Sequence, residues 1–201
     1  CDEYVCPRIY EMMRSAADTA MASVPGLIKG EAKAYEDVTY ALVMSGLAMQ
    51  MMGNSRPASG CEHHISHMIE MCPAGIDVAF YALHGEKTGV GSVLGAREYH
   101  SLAGIENIEA YALEYTPLNT DELRSFFGEK LIDAIIKENE KDSLCPVSRD
   151  KLISAWPQIR GIVSKIPNPE YFLGLLEMLD AKRSLEDIGV SSDILGTILD
   201  K

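Results

Sequence analysis

Four of the five histidines fall within residues 54–91, which read NSRPASGCEHHISHMIEMCPAGIDVAFYALHGEKTGVG. His63 and His67 are four apart, so on a helix they share one face, and His64 points about a quarter-turn away. His84 follows on the next helix, after one short loop. If the two helices are antiparallel neighbours, His63 and His84 meet with His67 alongside. Two imidazoles aimed at one point suit a borderline divalent ion such as Zn, Ni or Fe, with a carboxylate as third ligand and an open position for water or substrate. An HxxxH pair alone also describes an ordinary polar helix face; His84, in HGEK, makes convergence the sharper reading. The third ligand is not obvious. Glu62 and Glu70 are expected to face away from the His63–His67 line or only flank it, and Cys61 reads better as a small core residue than as a ligand.

Just upstream, Asn54, Ser55, Arg56, Pro57, Ala58, Ser59 and Gly60 read as an anion site. Arg56 offers a planar head with several donors for phosphate or carboxylate, and Ser55 and Ser59 add hydroxyls. A helix expected to start at Pro57 would add free N–H groups and a positive dipole end. Without the histidines nearby, the same segment is a capping turn with one solvated arginine. With them, a small phosphorylated substrate beside a metal becomes the coherent reading.

The elements that must carry these groups are helical. Apolar periodicity predicts helices over 7–24, ended by Pro25-Gly26, and over 31–52, with Tyr35, Val38, Leu42, Met49 and Met52 as one stripe and Ala41, Ser45 and Ala48 where a neighbour could approach closely. Gly53 breaks the second. The next are expected over 57–71 and 77–99, separated by a loop at Pro73-Ala74-Gly75. Gly85, Gly89, Gly91 and Gly95 dot the later one. Each would cost about 1 kcal/mol against Ala in an exposed helix, so they imply close backbone approach. Residues 103–116 read as a connection or short helix. Asn119 or Thr120, Ser148 and Asn168 look like caps of later helices. Pro157 is expected to kink or divide the second of these, and Phe172, Leu175, Leu176 and Leu179 to face inward on the third. A short turn over 184–189 and a last helix over 192–201 follow. No alternating strand pattern and no repeat appears. The expected fold class is all-α, a bundle of roughly eight or nine helices forming one domain over 1–201.

Composition narrows the function. With 18 basic and 30 acidic residues the net charge is −12, against a nucleic-acid footprint. The cysteines Cys1, Cys6, Cys61, Cys72 and Cys145 are odd in number with no CxxC, as expected of free thiols in the cytoplasm. The longest apolar run, 40–52, is too short and too interrupted to cross a bilayer. The first residues, Cys1-Asp2-Glu3-Tyr4, read as an entry into the middle of a longer chain.

SGLAMQMMGNSRPASGCEHHISH followed by LHGEKTGVGS resembles the C-terminal helical domain of sn-glycerol-1-phosphate dehydrogenases, members of the iron-containing alcohol dehydrogenase and glycerol dehydrogenase superfamily. The resemblance is close over 45–92 and looser elsewhere, including the terminal LEDIGVS. It implies a helical domain like the C-terminal one of dehydroquinate synthase. It also implies reversible NAD(P)H-dependent reduction of dihydroxyacetone phosphate to sn-glycerol 1-phosphate, a step of phospholipid biosynthesis. By resemblance His63 and His84 are ligands of a Zn2+ or Ni2+ ion, with Fe2+ served by the same donors. His67 falls near the substrate, to hold its phosphate or relay a proton, and Asn54, Ser55, Arg56 and Ser59 fall on the substrate-side loop; His64 is left out of the ligand set.

Two departures shape the expectation. The family carries an N-terminal Rossmann-type domain that binds the nicotinamide, and this sequence has neither its glycine-rich phosphate loop nor alternating strands and helices. The family's aspartate ligand falls just upstream of Cys1. The 201 residues are therefore expected to bind metal weakly or not at all and to be inactive alone. The alternatives are a domain of a related dehydrogenase acting on an unphosphorylated polyol, which would have no use for Arg56, and a non-catalytic helical module kept for assembly. Homo-oligomerisation through helices is compatible with the sequence, though an apolar face made to meet the nicotinamide domain would also self-associate.

Overall fold

The computed structural model describes residues 4–71, 82–140 and 142–196. Among them stand eight α-helices, joined by turns and short 3-10 segments, with no strand. The all-α expectation holds. Cys1, Cys72, the loop at Pro73-Ala74-Gly75, the first residues of the helix expected over 77–99 and the end of the one expected over 192–201 lie outside the described residues.

α1 (Pro7–Ile28) and α2 (Ala32–Met52) pair along their length. Their seam is built from small side chains. Ala34, Ala41 and Ala48, seven apart, are the buried residues of α2. The close approach expected at Ala41 and Ala48 holds, while the expected apolar stripe is corrected at Tyr35 and Leu42, which are exposed; Val38, Met49 and Met52 are half-buried. Pro25 does not end α1, which runs on to Ile28; the chain then turns at Gly30, whose φ of 69° suits glycine. Pro25 lies inside the last turn of α1, where it forgoes its own backbone N–H bond without ending the helix. Gly53, with φ 78°, closes α2 in the left-handed conformation.

α3 (Cys61–Glu70) and α4 (His84–Ala103) form the second closely packed pair. They run antiparallel, since Cys61 and Glu62 lie against Gly95 and Gly91 while Glu70 meets His84 and Lys87. A Cβ on Gly91 would sit 2.5 Å from the backbone oxygen of Glu62, and one on Gly95 3.1 Å from the Cys61 sulfur. The close approach read from the glycines is real at these two positions; Gly85 faces open space. Beneath the pair lies the main apolar core, where Ile65, Ile69, Val90 and Leu94 pack with Leu185 and Ile188 from the chain's last turns.

α5 (Thr120–Phe127), α7 (Arg149–Val163) and α8 (Pro169–Met178) start at Asn119, Ser148 and Asn168, whose side chains accept backbone N–H bonds as the sequence implies. Between α5 and α7, α6 (Ile132–Glu138) is separate from α5, the chain turning at Gly128 with φ 75°. Of these helices, α7 and α8 pack on α4, and α5 packs on α6. Pro157 lies inside α7 without dividing it. Trp156 and Arg160 of α7 donate to the carbonyls of Ile105 and Ala103 at 2.9 and 2.7 Å, and His100 of α4 donates to Ile166 at 2.9 Å. The fifth histidine is thus a structural tie. On α8, Phe172, Leu175 and Leu176 are only half-buried and Leu179 is exposed, short of the fully inward face expected.

Candidate functional site

The antiparallel pairing of α3 and α4 brings three histidines together. Ring centroids of His63 and His84 are 5.4 Å apart, those of His67 and His84 5.4 Å, and those of His63 and His67 6.2 Å. His64 is exposed and outside this cluster. α4 begins at His84 itself, later than the periodicity predicts, and Ala82 and Leu83 are not helical. Glu86 causes the start there: its carboxylate accepts the Leu83 N–H at 2.8 Å.

The carboxylates differ from the sequence-based expectation. Glu62 and Glu70 do not turn away. Glu62 Oε1 accepts from His63 Nδ1 at 2.8 Å and from the Gly60 N–H at 2.9 Å. Glu70 Oε1 accepts from His84 Nδ1 at 3.0 Å and from Lys87 Nζ at 3.3 Å, and its Oε2 stands 3.5 Å from His67 Nδ1. Ser66, fully buried, places its hydroxyl 3.3 Å from the same His84 nitrogen. Burial pushes the Glu62 carboxyl up, but the bonds from His63 and Gly60 outweigh it and hold it below the usual range. For Glu70 burial acts the same way and is outweighed by His84 and Lys87.

The spacing of helical residues misleads here for a simple reason. Glu62 precedes His63 by one residue, so an extended helix would aim it elsewhere; in the first turn its side chain instead folds back to cap Gly60. Glu70 meets His84 across the helix pair, a contact that periodicity within α3 cannot reveal. Lys87 was missed altogether. It is 7% exposed, and its position three residues after His84 on one helix was the available signal.

Two imidazoles bound to one tetrahedral ion at the usual metal–nitrogen distance have centroids about 5 Å apart, and the 5.4 Å between His63 and His84 fits that requirement. Among the described residues no group of three or more His, Cys, Asp and Glu side chains is arranged to hold a metal ion. Cys61 packs against Gly95, and burial raises its thiol pKa, as fits a core residue.

The anion-site expectation needs one correction. No helix starts at Pro57; Arg56–Ala58 is a single 3-10 turn and α3 starts after Gly60. The amide that a phosphate would seek there, Gly60 N–H, already meets the Glu62 carboxylate. Asn54 Oδ1 accepts the Arg56 N–H at 3.0 Å, shaping the bend, and Asn54, Ser55 and Arg56 are exposed while Ser59 is half-buried. Arg56 lines a cleft of about 290 Å³ with Tyr4, Val5, Tyr10, Met52 and Pro57, which none of the histidines lines.

The chain is 37% identical over 120 residues to a glycerol-1-phosphate dehydrogenase, NAD(P)+, of Halalkalibacterium halodurans, covering 58% of this chain and 29% of that protein. It is 25% identical over 194 residues to the enzyme of the same name from Geobacillus stearothermophilus, covering 96% of this chain and 41% of that protein. A third, from Methanoculleus marisnigri, is 49% identical over 57 residues, 28% of this chain and 14% of that protein. The chain therefore spans less than half the length of these curated relatives. No protein-family profile and no solved structure matches it. The resemblance to glycerol-1-phosphate dehydrogenases holds, and it extends over nearly the whole chain.

Proposed function

We propose that this chain is the helical metal- and substrate-binding domain of an NAD(P)-linked sn-glycerol-1-phosphate dehydrogenase, acting with a nucleotide-binding domain in the reduction of dihydroxyacetone phosphate. The supporting observation is the approach of His63 and His84, on two different helices, to 5.4 Å, each with its Nδ1 on a carboxylate. The relatives' shared name supplies the reaction class.

In this reading His63 and His84 hold the divalent ion, Zn2+ or Ni2+. When bound, that ion supplies a Lewis acid for the carbonyl oxygen of the substrate. His67, exposed and 5.4 Å from His84, is the imidazole left to meet the substrate, holding its phosphate or passing a proton. Arg56, with Asn54, Ser55 and Ser59 on the same bend, takes the phosphate through its guanidinium rather than through the helix start. The third ligand and the nicotinamide belong to residues other than those described. The 201 residues alone are then inactive and bind the ion weakly.

Paramagnetic Co2+ tests this reading, because line broadening detects weak binding. Added to the histidine-labelled chain, it should broaden the His63 and His84 ring signals together, and His63→Ala and His84→Ala should each remove the effect from the other ring. Broadening confined to His64 or His100, or none at millimolar Co2+, overturns the assignment. Turnover of dihydroxyacetone phosphate by the 201 residues with Zn2+ and NADH would overturn the need for a second domain.

A further inference from the structure

The three clustered imidazoles are not held alike. His63 and His84 each direct Nδ1 at a carboxylate within 3.0 Å, whereas His67 stands 3.5 Å from its nearest one and is more exposed. An ionised carboxylate only accepts, so at His63 and His84 the proton sits on Nδ1 and the lone pair on Nε2. We propose that Glu62 and Glu70 are positioning residues that lock this tautomer in His63 and His84, and that the buried Lys87 holds Glu70 in place to do so. The proposal deepens the metal-ligand reading of these two histidines and rests on it for its consequence, not for the tautomers themselves.

The two carboxylates are fixed by different means. Glu62 is pinned locally: the Gly60 N–H at 2.9 Å and the His63 ring at 2.8 Å bind the same oxygen at the start of α3. Glu70, one residue from the other end of the described part of this segment, is pinned across the helix pair. His84 and Lys87 lie three apart on one face of α4 and close on its single Oε1, at 3.0 and 3.3 Å. Lys87 is 7% exposed, and Glu70 is the carboxylate it meets among the described residues. A buried ammonium is stable only when paired, so it draws Glu70 over α4 and away from solvent. Ser66, fully buried, places its hydroxyl 3.3 Å from the same His84 Nδ1.

The consequence is selective. A metal ligand keeps one nitrogen free of protons, and a carboxylate on the other nitrogen fixes the tautomer and the ring's orientation. His63 and His84 have that arrangement. His67, less constrained, keeps the freedom to exchange a proton. One sequence of three similar side chains is thereby divided into two ligands and one substrate-side group.

Nitrogen NMR of the 15N-histidine-labelled chain without metal, at about pH 8.5 where imidazoles are neutral, reads the tautomers directly. His63 and His84 should show a protonated Nδ1 and a bare Nε2. Glu70→Ala should shift His84 toward the Nε2-protonated form and leave His63 unchanged, and Glu62→Ala should do the converse. Lys87→Met should shift His84 part of the way. If the lone Glu70→Ala variant fails to fold because Lys87 is stranded, Glu70→Leu with Lys87→Met removes the pair together and should give the full His84 shift. An Nε2-protonated His84 in the native chain, or one unmoved by both the single and the double change, overturns the proposal. A native tautomer unaltered by Lys87→Met overturns the part played by that residue. In parallel, Co2+ affinity should fall roughly 10–100-fold in each carboxylate variant. If the native chain binds no Co2+, the metal reading fails while the tautomer result still decides the proposal made here.

Discussion

The α1–α2 and α3–α4 pairs solve the same packing problem with opposite priorities. Both bring two helices close by removing side chains from the contact. In α1–α2 the removal is spread evenly, as alanines seven apart over some twenty residues, and the large side chains such as Leu42 are turned outward. In α3–α4 it is concentrated at Gly91 and Gly95, beside Glu62 and Cys61, while large residues fill the core beneath. The second arrangement leaves polar groups on the upper side of both helices within reach of one another. Glu62, His63, His67, Glu70, His84 and Lys87 all occupy that side. The comparison teaches that the closeness of a helix pair is not itself a functional sign. What marks α3–α4 is closeness anchored by a real core and topped by titratable groups.

The sharpest way to break that contrast is to remove the anchor. Ile69 is fully buried on α3, in the core shared with Leu185 and Ile188. Ile69→Ala should lower unfolding stability by about 2–5 kcal/mol, read from urea titration at an unchanged slope. A loss near zero would mean that the core beneath the histidines is not what holds α3 on α4.

Next in size are the two close-approach glycines, one from each pair. A Cβ at Gly91 meets backbone, which cannot move aside without shifting α3. Gly91→Ala should therefore cost about 1–3 kcal/mol despite alanine's better helix propensity. It should also separate the His63 and His84 rings, visible as loss of their mutual NOE contacts. Gly26→Ala in α1 puts a Cβ 2.7 Å from Ala34 Cβ, but Gly26 lies next to the α1–α2 turn, where the helices can part slightly. Its cost should stay within about 1 kcal/mol, the strain and the propensity gain nearly offsetting. Equal costs at the two glycines would erase the distinction drawn between the pairs.

The same contrast explains what could be read from the sequence. Most helices and three of their caps were legible, because Asn119, Ser148 and Asn168 announce helix starts through local chemistry. The meeting of His63 with His84 was legible too, since helices consecutive in the chain are usually neighbours in space. The errors came where tertiary contact overrides local pattern. The small residues Ala41 and Ala48 were read correctly as a close approach, but the apolar stripe beside them was wrong at Tyr35 and Leu42, which periodicity alone assigns inward. The helix placed at Pro57 was wrong because proline at a first turn is equally at home in one 3-10 turn. The contacts of Glu70 with His84 and Lys87 were not legible because they cross between two helices, fourteen or more residues apart in the chain.

The smallest effect is expected on the outer face of α2. Leu42 is 69% exposed, with Tyr40, Val43, Leu47 and Met51 also exposed on the same helix. Leu42→Gln keeps helix propensity and changes only that face, so a chain that leaves it in water should change by no more than about 0.5 kcal/mol. The measurement is a melting curve taken at several protein concentrations. A concentration-independent Tm equal to that of the unaltered chain supports the division between an inert outer face on α2 and the histidine-bearing upper face on α3–α4. A Tm that rises with concentration in the unaltered chain, and loses that dependence in Leu42→Gln, would show the face covered by a second copy. The α1–α2 pair would then also be an interaction surface, and the contrast with α3–α4 would be one of two functions rather than of scaffold against site.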